Sequence, residues 1–211
     1  MRIGIDFDNT IACYDGVFHA AAQERGLIPA NLAQALDQDK NAVRDYLNGN
    51  GRADDFTELQ GHVYGARMDL ASPYPGFAEF IATARKAGHE LFIASHKTRH
   101  PILGPKHDLH AAARGFLTAR GLVGRACGQI DPANVFFELT REAKVARIAA
   151  LGCEAFIDDL PEIFASPDFP DVTRRILFDP ANQFADIAHQ RRLDRRGSWA
   201  EIETELCRER V

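Results

Sequence analysis

The sequence predicts an α/β fold: a parallel sheet with helices on both faces and a small helical segment inserted after the first strand. Three observations carry this. Short, continuously apolar runs recur along the chain, as in strands covered on both faces. Between them, apolar residues repeat at helical spacing and the repeats end at glycines. One long stretch, residues 14 to 72, breaks the alternation and holds no strand pattern.

Taken in order, Arg2 to Phe7 reads as the first strand. The insertion follows, with helical stretches near Val17–Arg25, Asn41–Leu47 and Phe56–Met68, interrupted by Pro29 and by Asn48-Gly49-Asn50-Gly51. Ser72-Pro73-Tyr74-Pro75-Gly76 marks the return to the core. Phe77, Phe80, Ile81 and Ala84 line one helical face that stops at Gly88, and Leu91-Phe92-Ile93-Ala94 is the next strand. Asp108 to Arg120 forms a helix ending at Gly121, and Val135-Phe136-Phe137 a further strand. Thr140 caps a helix whose Val145, Ile148 and Leu151 face inward before Gly152. Ala155-Phe156-Ile157 is another strand and Ile176-Leu177-Phe178 the last. The tail from Arg191 to Val211 is charged, but Trp199, Ile202 and Leu206 share a helical face and predict a docked terminal helix. The topology expected is therefore Rossmann-like, with a core from 1–13 and 73–211 and an insertion at 14–72.

The composition is that of a chain with a real core: 45% hydrophobic and 26% charged over 211 residues. A formal net charge of −5 argues against nucleic-acid binding, which needs a basic face. No apolar run approaches the roughly 20 residues of a membrane span, and Met1-Arg2 leads at once into the first strand without a signal core. Cys13, Cys127, Cys153 and Cys207 are scattered, with neither zinc nor disulfide spacing. A cytoplasmic location with reduced thiols is expected.

Ligands of open parallel sheets bind beyond the carboxyl ends of the strands. Asp6-Phe7-Asp8-Asn9-Thr10 closes the first strand, Ser95 the Leu91 strand and Asp158-Asp159 the Ala155 strand, while Lys144 lies early in the helix before that last strand. A carboxylate cluster repels itself unless a cation joins it, and oxygen ligands without His or Cys favour magnesium. An Asp can attack phosphorus to give an aspartyl-phosphate. A second carboxylate two residues on can protonate the leaving alcohol and then activate water. A hydroxyl and an ammonium can hold the remaining phosphate oxygens.

This constellation resembles the haloacid dehalogenase superfamily. Its phosphatases carry a DxDx(T/V) motif after the first strand, a Ser or Thr after an apolar strand, a Lys one helix before an acidic motif, and the acidic pair itself. Asp6-Phe7-Asp8-Asn9-Thr10, Ser95, Lys144 and Asp158-Asp159 occur in that order over most of the core, and the insertion at 14–72 looks like that family's helical cap. The resemblance implies that Asp6 is the nucleophile and Asp8 the general acid/base. It implies Mg2+ held by Asp6, the Asp8 backbone carbonyl and Asp158, with Asp159 supporting. Ser95, Lys144 and Asn9 would bind the phosphate. Asp8 disfavours the dehalogenase branch and favours phosphate esters.

Some readings stay open. Asp159 is equally a helix cap before Leu160-Pro161, and Lys97 competes with Lys144 for the phosphate. Cys13 and Tyr14 either line the substrate entrance or pack. Thr10, His96, Lys97 and Arg99 are candidate substrate contacts: the stretch from His96 to His110 is rich in basic residues and histidine, and Lys97 and Arg99 are expected to meet a second anionic group unless this is a solvated loop. The function expected is hydrolysis of a small phosphorylated metabolite. The alternatives are transfer of the phosphoryl group to another acceptor, or an idle binding domain of the same fold. The substrate and the oligomeric state are not written in the sequence.

Overall fold

The structure, a computed structural model, describes residues 1–33, 35–185 and 193–207. Residues 191, 192 and 208–211 of the charged tail lie outside the described residues. The chain runs through β1 (Arg2–Ile5), β2 (Ala12–Cys13), α1 (Val17–Glu24), α2 (Ala30–Ala33), α3 (Lys40–Gly49), α4 (Ala53–Tyr64) and β3 (Ser72–Pro73). It continues through α5 (Phe77–Lys86), β4 (Glu90–His96), α6 (Leu109–Ala119), β5 (Val135–Glu138) and α7 (Arg141–Ala150). The last elements are β6 (Ala155–Asp158), α8 (Pro161–Phe164), β7 (Arg174–Phe178), β8 (Leu193–Arg196) and α9 (Trp199–Cys207). Strands β2 and β3 form a small separate sheet.

The main sheet has six strands in the order β5-β4-β1-β6-β7-β8, and every neighbouring pair is parallel. The chain adds strands on one side of β1, then returns to build the other side from β6 outward. That reversal puts the crevice of the sheet at the carboxyl ends of β1 and β6, the place where such folds bind ligands. The α/β class expected from the apolar runs is the class observed.

Helices cover both faces, and β7 shows it within two residues. Phe178 packs on Trp199 of α9, with ring centroids 5.4 Å apart, while Leu177 joins a cluster with Val145 and Ile148 of α7 and Ile163 and Phe164 of α8. Successive strand residues point to opposite faces. Phe77 and Phe80 of α5 complete the first layer, at 4.7 and 4.9 Å from the Trp199 ring. Gly4 in β1 is there because the sheet needs room: a Cβ would lie 2.5 Å from the Phe156 ring and 2.9 Å from Cys153 Sγ.

Ile176-Leu177-Phe178 is not the last strand. The sheet gains a sixth, β8, from Leu193-Asp194-Arg195-Arg196. Its residues are all half-exposed, so it writes no apolar run and reads as part of a charged tail. Backbone pairing to β7 and ion pairs hold it, among them Arg174 Nε to Asp194 at 2.8 Å and Arg196 Nε to Glu205 at 2.6 Å.

By compactness the chain forms two units: Met1–Ala12, Pro73–Lys97 and Thr118–Val211 in the first, Cys13–Ser72 and Thr98–Leu117 in the second. Residues 98–117, which the sequence assigns to the core, cluster instead with α1 to α4. Gly61 of α4 and Gly65, just after the helix, make the seat. A Cβ at Gly61 would lie 2.5 Å from Pro101 Cβ, and one at Gly65 would lie 2.6 Å from His107 Cβ. Within this unit Tyr14, Phe18 and Tyr64 pack edge to face, and Lys40 Nζ donates to Tyr64 Oη at 2.8 Å. Tyr14 is therefore a packing residue here.

Candidate active site

Asp6 follows the last residue of β1, and its N–H still donates to the Ile157 carbonyl (2.9 Å), so the backbone is held by the sheet where the carboxylate begins. Asp158 ends β6, the neighbour of β1. Lys144 comes four residues after Thr140, whose hydroxyl oxygen accepts from the Ala143 N–H (3.1 Å) and fixes the start of α7. These three placements converge. Lys144 Nζ donates to Asp6 Oδ1 at 2.5 Å and to Asp158 Oδ2 at 2.6 Å, and all three side chains are buried. The other Asp158 oxygen accepts from the Leu160 N–H at 3.0 Å. The helix that follows, α8, has Leu160 as its N-cap and no side-chain cap bond, so neither Asp158 nor Asp159 caps it. Asp159 Oδ1 accepts from the Thr10 hydroxyl at 3.5 Å.

Burial is the chief force on these carboxyls. It pushes Asp6 up to about 7, against the pull of Lys144 and with a further push from Asp158. Burial also raises Asp158, and raises Asp159 well above the usual carboxylate range. Lys144 is desolvated too, but Asp158 and Asp6 outweigh that and keep its ammonium protonated beyond the ordinary lysine range. Oxygens of Asp6, Asp158 and Asp159 lie within 4.8 Å of one another. Ionising all three against one ammonium would leave two uncompensated negative charges, which a divalent cation would neutralise. The donors are all hard oxygens, so the set fits magnesium better than zinc.

Asp8 makes a separate pair. The chain turns tightly after β1: Ile11 and Ala12 both donate to the Phe7 carbonyl, at 3.0 and 2.9 Å, and Asn9 takes a left-handed backbone (φ 56°) with its N–H on the Ala12 carbonyl. Lys97 Nζ donates to both Asp8 oxygens, at 2.9 and 2.7 Å. The turn is anchored from below by α9, whose Trp199 Nε1 donates to the Thr10 carbonyl at 3.1 Å. Nothing in the sequence pointed to that link.

Ser95 is buried in β4 beside Phe137 of β5. His96 ends β4, half-buried; burial lowers its pKa and a bond to the Leu139 backbone opposes this. Lys97 and Arg99 part company. Lys97 belongs to the first unit and holds Asp8, whereas Arg99 belongs to the second and pairs with Asp108 at 3.1 Å. Among the described residues no helix is long and apolar enough to cross a membrane.

No protein-family model and no curated protein matches the chain. Solved structures do. A HAD-family hydrolase from Deinococcus radiodurans R1, with bound phosphate and sodium, superposes with a TM-score of 0.56 at 17% identity, over 97% of this chain and 94% of that one. A HAD hydrolase of family IA, variant 3, from Entamoeba histolytica HM-1:IMSS gives 0.57 at 13% identity, over 98% and 96%. A dehalogenase with an intermediate complex gives 0.57 at 13% identity, over 99% and 97%.

Proposed function

We propose, for a chain that has the fold of the haloacid dehalogenase superfamily hydrolases, the function of a magnesium-dependent phosphatase acting on small phosphomonoesters through an aspartyl-phosphate at Asp6. The observation that carries this reading is the buried grouping of Asp6, Asp158 and Lys144 at the carboxyl ends of β1 and β6. Burying two carboxylates and an ammonium is costly and is weak evidence for a purely structural role, while strongly perturbed acids in a crevice are a feature that functional sites concentrate.

Asp6 Oδ attacks phosphorus, the bond to the ester oxygen breaks, and Asp8 gives that oxygen a proton. Asp8 then takes a proton from water, which attacks the phosphoryl-Asp6 and releases inorganic phosphate. Ser95 and Lys144 bind the non-bridging oxygens, with Asn9 assigned to the same task. Asp6, the Asp8 carbonyl, Asp158 and Asp159 would hold magnesium, which supplies charge neutralisation between the phosphate and its nucleophile. Asp8 also separates this reading from a dehalogenase, which has no alcohol to protonate.

The test is hydrolysis of a generic phosphate ester with and without magnesium, by the wild type and by Asp6→Asn. Loss of turnover in a folded Asp6→Asn, and dependence of the wild type on magnesium, is the expected result. Near-normal hydrolysis by the folded variant would sink the nucleophile assignment.

A further inference from the structure

Lys97 is not in any of the four motifs, yet it is buried and its ammonium meets both oxygens of one carboxylate. Its Nζ lies 2.9 and 2.7 Å from the two oxygens of Asp8 and 5.3 Å from the centre of the Phe7 ring. Its own backbone is fixed one residue beyond β4 by an N–H bond to the Glu138 carbonyl at 2.8 Å. Phe7 is fixed in turn by an edge contact with Phe137 of β5, at 5.7 Å. The Asp8 carboxylate, by contrast, stands on a tight turn, with its neighbour Asn9 in a left-handed conformation. A short side chain on such a turn has several rotamers open to it. A two-point bond to a lysine held at the end of β4 restricts that freedom.

We propose that Lys97 is the positioning residue for Asp8, holding the carboxyl group in the orientation from which it delivers and removes the proton. The proposal rests on Asp6 and Asp8 acting as described above. It differs from the expectation that Lys97 meets a second anionic group of the substrate, because here the lysine acts through Asp8.

Leaving groups separate the two. kcat/KM reports the first chemical step, in which a poor alkoxide leaving group needs the proton and a nitrophenolate does not. In Lys97→Met, kcat/KM for an alkyl phosphate should fall by roughly the 100-fold associated with a positioned acid, and that for 4-nitrophenyl phosphate by less than about 3-fold. The kcat values for both should fall, because breakdown of the phosphoenzyme needs Asp8 as base in either case. In an Asp8→Asn background the same Lys97 change should cost little more, as expected for two residues acting as a unit. Lys97→Arg, which keeps the charge and offers a two-donor fork, should recover much of the loss and serves if the methionine variant fails to fold. Equal losses of kcat/KM on both esters, or full additivity with Asp8→Asn, would assign Lys97 to substrate binding and overturn the proposal. Loss of all activity in Asp6→Asn alongside an unaffected Lys97→Met would leave the phosphatase reading standing and remove only this one.

Discussion

Three aspartates stand at or just after strand ends on the same edge of the sheet, and they live under opposite regimes. Asp6 and Asp158, after β1 and at the end of β6, share one lysine, and burial drives both carboxyls upward, Asp6 to about 7. Asp179, just after β7, is desolvated too, yet its pKa sits below the usual range. The N–H groups of Phe184 and Gln183 donate to it at 3.0 and 2.8 Å, and Arg195 at 2.9 Å. Around it, β7, β8 and α9 balance charge with charge: Arg174 and Arg196 against Asp194 and Glu205. At the sheet centre three carboxyls, Asp6, Asp158 and Asp159, face a single buried ammonium, Lys144. Charge density alone is therefore a poor guide to chemistry in this molecule. An unbalanced, buried group of charges marks the centre, and a balanced, half-exposed one marks the edge.

The largest test of this contrast is Lys144→Met. It strips the common cation from Asp6 and Asp158, and breaking a buried pair from one side costs about 3–5 kcal/mol. Denaturant unfolding should show a loss of that order at pH 8, together with no measurable turnover. The loss should shrink at pH 5, where the abandoned carboxyls can take up protons.

Asp6→Asn should keep the fold and change its pH dependence. The folded carboxyl holds its proton up to about 7, far above the ordinary carboxylate value of 3.8. Between those limits the folded state binds more protons than the unfolded one, so metal-free stability from this group falls as pH rises through the window. Subtracting the melting curves of the variant from those of the wild type should give a difference that declines from about pH 4 to about pH 7. Asp179→Asn should give the reverse trend: its lowered pKa contributes stability that is lost as pH falls. A flat Asp6 difference would mean that its carboxyl is not perturbed.

Magnesium should stabilise the wild type by mass action, about 2.7 kcal/mol at one hundred times its dissociation constant, and should do so far less in Asp158→Asn. Thermal melts against magnesium concentration read this directly. The smallest effect belongs to the edge. Arg196→Ala should cost only about 0.5–1 kcal/mol, in line with half-exposed ion pairs, and leave kcat/KM unchanged.

The same contrast explains what could be read from the sequence. Strands covered on both faces write continuous apolar runs, so β4 and β6 and the placement of Asp6, Ser95 and Asp158 at strand ends were legible. So was the Thr140 cap, because a hydroxyl before a helix has a local signature. Edge strand β8 was not, since ion pairs rather than burial hold its four residues. Residues 98–117 read as core because periodicity says nothing of which unit a helix joins; Gly61 and Gly65 decide that through space. The partition of Lys97 to Asp8 and Arg99 to Asp108 was equally hidden. Both are basic residues in one loop, and only three-dimensional proximity sorts them.

Trp199 is the chain's only tryptophan, and its indole N–H is bonded to the carbonyl of Thr10 in the turn that carries Asp8. The fluorescence of this protein therefore comes from a single indole wired to the turn after β1. Any rearrangement of residues 8–12, on binding a phosphate analogue or on phosphorylation of Asp6, has a native optical readout, free of labels and undiluted by other indoles.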